Sequence, residues 1–259
     1  MRDENYRSTL AAAARELSGA RRVLAITGAG ISADSGLPTY RGISGLYESA
    51  DTDDGVPIEV ALSGAMMQRN PAVCWKYIAQ IERGCRGAKP NAAHEVLVRW
   101  QQRFQLTVLT QNVDGLHRVA GQNDLIEIHS TVHDLYCTGC ETESRVQDYA
   151  ALTIPPVCPA CGCGVRPRVV LFGEALPQRA IERLEQVLEE GVDAVLSIGT
   201  TSVFPYISAP VVQAARRKML TIEINPGETE VSAAVRYRLR ERAAVVLPDL
   251  DRLLIQTND

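Results

Sequence analysis

The chain has 259 residues, 46% of them hydrophobic and 22% charged, with a formal net charge of −4. That length suits one large folded unit, or a large one with a smaller companion, and the mixture excludes a disordered or fibrous protein. No apolar run reaches the roughly 18 residues of a bilayer span, residues Arg2, Asp3 and Glu4 do not open a secretion signal, and no basic stretch offers a strong hold on a phosphate backbone. The expectation is a cytoplasmic protein, a monomer, with no membrane and no direct nucleic-acid partner.

In chain order, helix-period apolar spacing over residues 8–18 is followed by an unbroken apolar run at 23–27, and the alternation recurs. Helical spacing returns at 91–102, 177–190 and 205–217, with Gly191 placed as a helix stop. Apolar runs return at 106–110, 169–172, 194–198, 220–224 and 244–247. Short runs without polar alternation suit strands covered on both faces, so the pattern predicts an α/β protein with a Rossmann-like parallel sheet. Two intervals break the pattern. From Tyr40 to Lys89 there are helix-like stretches without strands, including Asn70-Pro71 leading into 72–83, which predicts a helical lobe. From Thr131 to Pro167, cysteines, glycines and the pair Pro155-Pro156 take over, which predicts an inserted module. The expected division is a Rossmann-type domain over 1–40, 90–130 and 167–259, a helical part of a small domain over 41–89, and a metal-binding module over 131–166.

Directly after the first apolar run stands Gly28-Ala29-Gly30-Ile31-Ser32-Ala33, which fits the G-x-G-x-x-G/A form of a dinucleotide loop. Glycines there permit a tight turn and close approach of a pyrophosphate, although a purely structural turn has the same composition. No acidic residue ends a second strand about 20 residues later, as an ordinary dehydrogenase would require. The carboxyl end of the run at 106–110 carries Gln111-Asn112-Val113-Asp114, and Ile126-Glu127-Ile128-His129 follows. Ligands of open α/β sheets bind at such strand ends, so amide, carboxylate and imidazole are expected to converge on the crevice beside the glycine loop.

Cys137-x-x-Cys140 and Cys158-x-x-Cys161 form two knuckles at zinc-ribbon spacing. Four thiolates close a tetrahedron around zinc and leave no open position, so the metal is expected to be structural. A disulfide pair or a redox CxxC are the alternatives, and Cys163 is placed to substitute as a ligand. Cys74 and Cys85 lie in a helical pattern and read as buried apolar residues.

GAGISADSGLPTYRG at 28–42, TQNVDGLHRVAG at 110–121, IEIH at 126–129, FGE at 172–174, GTTSVFP at 199–205 and INP at 224–226 together resemble the sirtuins, in order over nearly the whole chain. The resemblance implies NAD-dependent removal of acyl groups from lysine side chains, with NAD consumed and nicotinamide and O-acyl-ADP-ribose released. It implies that His129 acts as general base on a ribose hydroxyl, with Asn112 and Asp114 holding the nicotinamide end. The remaining cofactor contacts it implies are Gly28, Ala29, Gly30, Ile31, Ser32, Thr39, Tyr40 and Arg41 in the first motif, with Gln111 and Val113 in the second. Gly199, Thr200, Thr201, Ser202, Asn225, Pro226 and Ala243 complete that set. Phe172, Gly173 and Glu174, with Val203 and Phe204, match the two stretches between which an acyl-lysine peptide or protein lies by strand addition. Mono-ADP-ribosylation and plain NAD hydrolysis are the rival chemistries of the same scaffold.

The chain departs from the family at three points. Ser130 stands where glycine usually follows the base, and Tyr40 stands for the usual phenylalanine. Ile78 and Ile81 occupy the positions where succinyl-preferring members carry tyrosine and arginine. A carboxylate buried without a cation costs several kcal/mol, so neutral acyl groups are expected. His117 reads equally as a buried structural histidine, and His94 and His133 match no family role.

Overall fold

The computed structural model describes residues 4–38 and 52–256. Helix α1 (Glu4–Leu17) leads to strand β1 (Arg22–Thr27) and the short helix α2 (Ala29–Ser32). Beyond residue 52 come α3 (Ile58–Ala61), α4 (Gly64–Arg69), α5 (Pro71–Cys85) and α6 (Ala92–Trp100). Then follow β2 (Gln105–Thr110), α7 (Leu116–Ala120) and β3 (Leu125–Glu127). The cysteine interval folds as β4 (Asp134–Cys137), β5 (Glu143–Arg145) and β6 (Val165–Pro167). The last third alternates again: α8 (Gln178–Glu190), β7 (Ala194–Ile198), α9 (Pro205–Arg216), β8 (Leu220–Ile224), β9 (Tyr237–Leu239) and α10 (Ala243–Gln256).

The main sheet has the order β3-β2-β1-β7-β8-β9 with every pairing parallel, the doubly wound arrangement of a Rossmann fold. Because strand side chains alternate, β1 sends Val23 and Ala25 to one face and Leu24 and Ile26 to the other. The first face is covered by α1, α6 and α10 through Leu17, Leu97, Trp100 and Leu250, the second by α8 and α9 through Leu184, Val187, Ile207 and Val211. Burial on both faces is why the strands read as continuous apolar runs. Gly191 caps α8 at φ 84°, as its placement predicted.

A third core joins the two intervals that interrupt the alternation. Trp75 of α5 meets Tyr149 edge-on at 5.4 Å and donates its indole N–H to the Val165 carbonyl at 3.1 Å. Met66, Met67, Ile78, Val132, Leu135 and Leu171 pack around them. The antiparallel sheet β5-β4-β6 stands at the edge of this core.

Two expected strands are corrected. Residues 244–247 belong to α10, whose buried positions Ala243, Val246, Leu247, Leu250 and Leu254 recur every three or four residues. A four-residue apolar run is too short to separate that period from a strand. Residues 169–172 make one bridge, Ser63 to Phe172, and no ladder. Their backbone groups are taken by loops instead: Phe172 N–H donates to the Leu62 carbonyl at 2.9 Å and Val170 N–H to that of His129 at 3.0 Å. The edge strands β3 and β9, three residues each, escaped the sequence pattern.

Candidate active site

In a doubly wound sheet the crevice opens where the strand order reverses, here between β1 and β7. The turns leaving these two strands are pressed together. Gly30 donates its N–H to the Gly199 carbonyl at 2.8 Å, and a Cβ on Gly30 would lie 2.7 Å from the Gly199 Cα. Gly199 itself has φ 59°, and a Cβ there would meet the Ile31 nitrogen at 2.5 Å. Backbone-to-backbone fit therefore requires both glycines. The loop satisfies the structural reading and still presents Gly28, Ala29 and Gly30 to the crevice.

Behind this wall lies a closed polar chain. The Asn112 amide donates to the Gly28 carbonyl at 3.1 Å and to Ser32 Oγ at 3.2 Å, and Ser32 in turn donates to Asp114 Oδ2 at 2.8 Å. Asp114 Oδ1 accepts from the Leu116 N–H at 2.9 Å. Burial pushes the Asp114 carboxyl above the ordinary carboxylate range, while these donors oppose the shift.

Gln111 ties the network to His129. Its side chain donates to Thr200 Oγ1 at 2.7 Å, and its carbonyl lies 2.9 Å from His129 Nδ1. A carbonyl only accepts, so Nδ1 carries the proton and Nε2 of the neutral ring holds the lone pair. Burial lowers the His129 pKa below the usual imidazole value, partly offset by the Gln111 bond, which keeps the ring neutral at physiological pH. Nε2 meets Tyr206 Oη at 2.7 Å.

The described residues enclose a cavity of about 690 Å³ against these groups. Its sheet end is lined by Gly28, Ala29, Gly30, Gln111, His129, Gly199, Thr200, Thr201, Asn225, Pro226 and Ala243, and its other end by Ile78, Ile81, Val113, Phe172, Gly173, Glu174 and Phe204. Ile31, Ser32, Asn112, Asp114, Ser202 and Val203 stand outside this lining, most of them one layer back. Thr39, Tyr40 and Arg41 lie outside the described residues. Glu174 reaches the wall, but its carboxylate is held by Arg166 at 2.6 and 2.9 Å and by the Leu171 N–H at 2.9 Å. Tyr77, which precedes Ile78 in α5, is turned away from this lining: its hydroxyl lies 2.5 Å from Asp54.

Sequence reasoning missed Leu62, Val132, Val169, Leu171 and Leu176 in the apolar wall, and Tyr206 and Arg242. The aliphatic residues carry no local signal, since they come from separate loops. Tyr206 directly follows the 199–205 motif at the start of α9, where a polar aromatic off a strand end is a readable cue.

The four thiols Cys137, Cys140, Cys158 and Cys161 have all their sulfurs within 4.8 Å of one another. A tetrahedral zinc with Zn–S bonds of about 2.3 Å separates sulfurs by about 3.8 Å, so the cluster fits that ion. Cys163 is exposed and lies outside the cluster. Burial pushes the Cys74 and Cys85 thiols up to about 12, so neither is a thiolate at neutral pH. His117 and His94 meet edge-on at 4.8 Å, and His117 Nε2 lies 2.9 Å from Thr27 Oγ1. Desolvation brings them to about 3 and about 4, which makes them structural, neutral rings.

Comparison with known proteins agrees with this arrangement. The Sir2 family model matches residues 28–205. A protein named NAD-dependent protein deacylase 2 from Pseudomonas aeruginosa is 47% identical over 247 residues, covering 94% of this chain and 96% of its own. One of the same name from Pseudomonas syringae pv. tomato is 50% identical over 242 residues, covering 92% and 97%. Among solved structures, a mutant Sir2 homologue in complex with ADP-ribose superimposes with a TM-score of 0.86 at 31% identity, covering 99% of this chain and 98% of that one. A Sir2 protein bound to a myristoylated histone peptide gives 0.77 at 25% identity, covering 97% and 98%. The chain belongs to the Sir2 family.

Proposed function

We propose that this protein is an NAD-dependent protein lysine deacylase that transfers neutral acyl groups to ADP-ribose and releases nicotinamide. The observation that carries the reading is a single cavity lined by His129 together with two unlike sets of groups, a glycine-rich polar set from the strand-end turns and an aliphatic set. The relatives named deacylases and the structural neighbours holding ADP-ribose and an acylated peptide support the same division.

NAD supplies the glycosidic bond whose cleavage drives acyl transfer. The chain's own part is to bind and orient it. Gly28, Ala29, Gly30, Thr200, Thr201 and Asn225 face the region for phosphates and ribose, Pro226 and Ala243 the region for adenine. Asn112 and Asp114 act from behind this wall, holding Ser32 and the Gly28 carbonyl and so the angle at which nicotinamide is seated. His129, neutral and with its Nδ1–H committed to Gln111, offers Nε2 as the general base toward a ribose hydroxyl. Phe172 has its backbone groups committed to Leu62 and Gly64, so strand addition of the peptide falls to Gly173 and Val203. Ile78 and Ile81 line the part of the cavity assigned to the acyl chain, among aliphatic residues of the described lining. Zinc on the four thiols would stabilise the smaller core and take no part in the chemistry. We read the protein as a cytoplasmic monomer, since clustered cysteines kept reduced for metal suit a reducing compartment.

The test is a panel of acyl-lysine peptides assayed with and without NAD, with products resolved by mass spectrometry and His129→Ala run beside the wild type. NAD-dependent nicotinamide release with O-acyl-ADP-ribose formation, lost in the variant, is expected. ADP-ribose attached to protein, or appearing free without deacylated peptide, would shift the assignment to ADP-ribosyl transfer or NAD hydrolysis.

A further inference from the structure

His129 does not present a bare lone pair to the cavity. Nε2, the one ring nitrogen able to accept a proton, lies 2.7 Å from Tyr206 Oη. The Nδ1 contact to the Gln111 carbonyl fixes the tautomer, so in the neutral site the phenol donates and Nε2 accepts. Burial pushes the Tyr206 phenol up to about 12, so it carries its proton at neutral pH.

Tyr206 is held in place from both sides. Its ring stacks on Phe204 at 5.4 Å with 11° between planes, and the His129 ring stands edge-on to it at 5.9 Å and 84°. Both Tyr206 and His129 line the cavity, together with Gln111, Thr200 and Phe204. Among the described residues, Oη hydrogen-bonds to His129 alone, so its oxygen keeps acceptor capacity on the cavity side. A hydroxyl arriving from the sheet end finds the base reached through another hydroxyl.

We propose that Tyr206 is a catalytic residue that relays the proton of the ribose hydroxyl to His129. The ribose O–H proton passes to Tyr206 Oη as the Tyr206 O–H proton passes to Nε2. The ribose oxygen keeps the electron pair for its attack, the ring becomes imidazolium, and the phenol ends as it began, neutral and protonated. No phenolate forms, so the high proton affinity of the buried phenol is no obstacle. The proposal rests on His129 being the base, as argued above, and adds the path by which the proton arrives.

The experiment compares Tyr206→Phe, which keeps the stack on Phe204, with the wild type and His129→Ala. Nitrogen-15 NMR of the imidazoles in the NAD-free protein reads the contact itself. In Tyr206→Phe the His129 Nε2 resonance should move downfield as its lone pair loses a donor, and an unmoved resonance overturns the proposal. Two kinetic readouts then separate the steps: exchange of labelled nicotinamide into NAD in the presence of acyl peptide, which precedes proton removal, and complete deacylation. The relay predicts that Tyr206→Phe lowers deacylation at saturating substrates by at least about tenfold, within the range general base catalysis commands, while exchange continues. Deacylation at or above the wild-type rate overturns it, as does a parallel loss of both reactions. If His129→Ala itself deacylates normally, the base assignment falls whatever Tyr206→Phe does. If only His129→Ala is impaired, the relay falls and the base stands.

Discussion

At the sheet end of the cavity the wall is backbone with a bonded polar layer behind it: Gly28 and Gly30 are pressed against Gly199 and Thr200, and Asn112, Ser32 and Asp114 form a chain of hydrogen bonds. At the other end the wall is aliphatic carbon from separate stretches, with Leu62 from the α3–α4 turn, Ile78 and Ile81 from α5, Val132 from the loop before β4, and Val169 and Leu171 from the loop after β6. The first end tolerates no added atom, because an extra Cβ meets backbone at 2.5–2.8 Å. The second is defined by shape and low polarity, which one side chain can change. A constant cofactor and a variable acyl group need these two kinds of surface.

The largest expected effect lies at the aliphatic end. A succinyl carboxylate placed against Ile78 and Ile81 loses water and gains no cation from these two side chains, a cost of several kcal/mol. Each 1.4 kcal/mol is a factor of ten, so acetyl-lysine should exceed succinyl-lysine in kcat/KM by roughly 10²–10³ on one peptide sequence. Ile81→Arg should narrow that ratio at least about tenfold by supplying the missing charge. Comparable turnover of the two peptides by the wild type would show that the wall is not what selects the acyl group.

Next in size is damage to the polar end. Asn112→Ala removes both amide hydrogen bonds and frees the Gly28 carbonyl and Ser32 without touching the aliphatic wall. Misplacement on that scale costs about 10² in rate, so kcat should fall by about that factor while the KM for peptide stays within about threefold. A variant that loses peptide affinity and keeps kcat would mean that the two ends are not separable.

The two ends also differ in how far the sequence disclosed them. The glycine turn and Gln111 to Asp114 follow strands whose apolar runs are unambiguous, and chemistry at a strand end is where a parallel sheet places it; His129 follows the three-residue β3 and was legible through its family motif instead. Ile78 and Ile81 were found through alignment with a family motif, but Val132, Val169, Leu171 and Leu176 were not, because an aliphatic residue in a loop signals nothing until the chain brings it to a wall. The strand errors have the same origin. Residues 169–172 and 244–247 are equally apolar, and only the partners decide: loop carbonyls for the first, the face of α6 and α1 for the second. Tyr206 offered a positional cue after the 199–205 motif, but its role shows only through the contact with His129, 77 positions away in sequence.

A third prediction concerns acid. His94 of α6 and His117 of α7 pack against each other beside Thr27 of β1, and burial depresses both, to about 4 and about 3. Above pH 6.5 both rings are neutral folded or unfolded, and they contribute no pH dependence. Below 6.5 the unfolded chain takes up protons that the folded one refuses, so stability falls progressively from about pH 6.5 toward pH 4. By pH 5 the loss is about 2 kcal/mol for each ring. Denaturant midpoints measured from pH 8 to pH 4.5 should show it, and His94→Gln, which keeps an acceptor for the Asn91 N–H, should flatten the slope. An unchanged slope in that variant would place the acid sensitivity elsewhere, beginning with the carboxylates.

The smallest effect sits at the joint between the two ends. Ser130, directly after His129, has φ 56°, in the left-handed region, and its N–H donates to the Glu127 carbonyl at 2.9 Å. The backbone therefore takes a glycine-like turn with a residue that carries a Cβ, at a strain of about 1–2 kcal/mol. Glycine would relieve that strain but gives the unfolded chain more freedom, which returns about 0.5–1 kcal/mol. Ser130→Gly should thus be more stable by about 0.5–1 kcal/mol, or about 1–4 °C in Tm for a chain of this size. Thermal unfolding decides it: a lower Tm in Ser130→Gly would mean that the serine is not strained there and that the turn around the base is held by something other than its backbone angle.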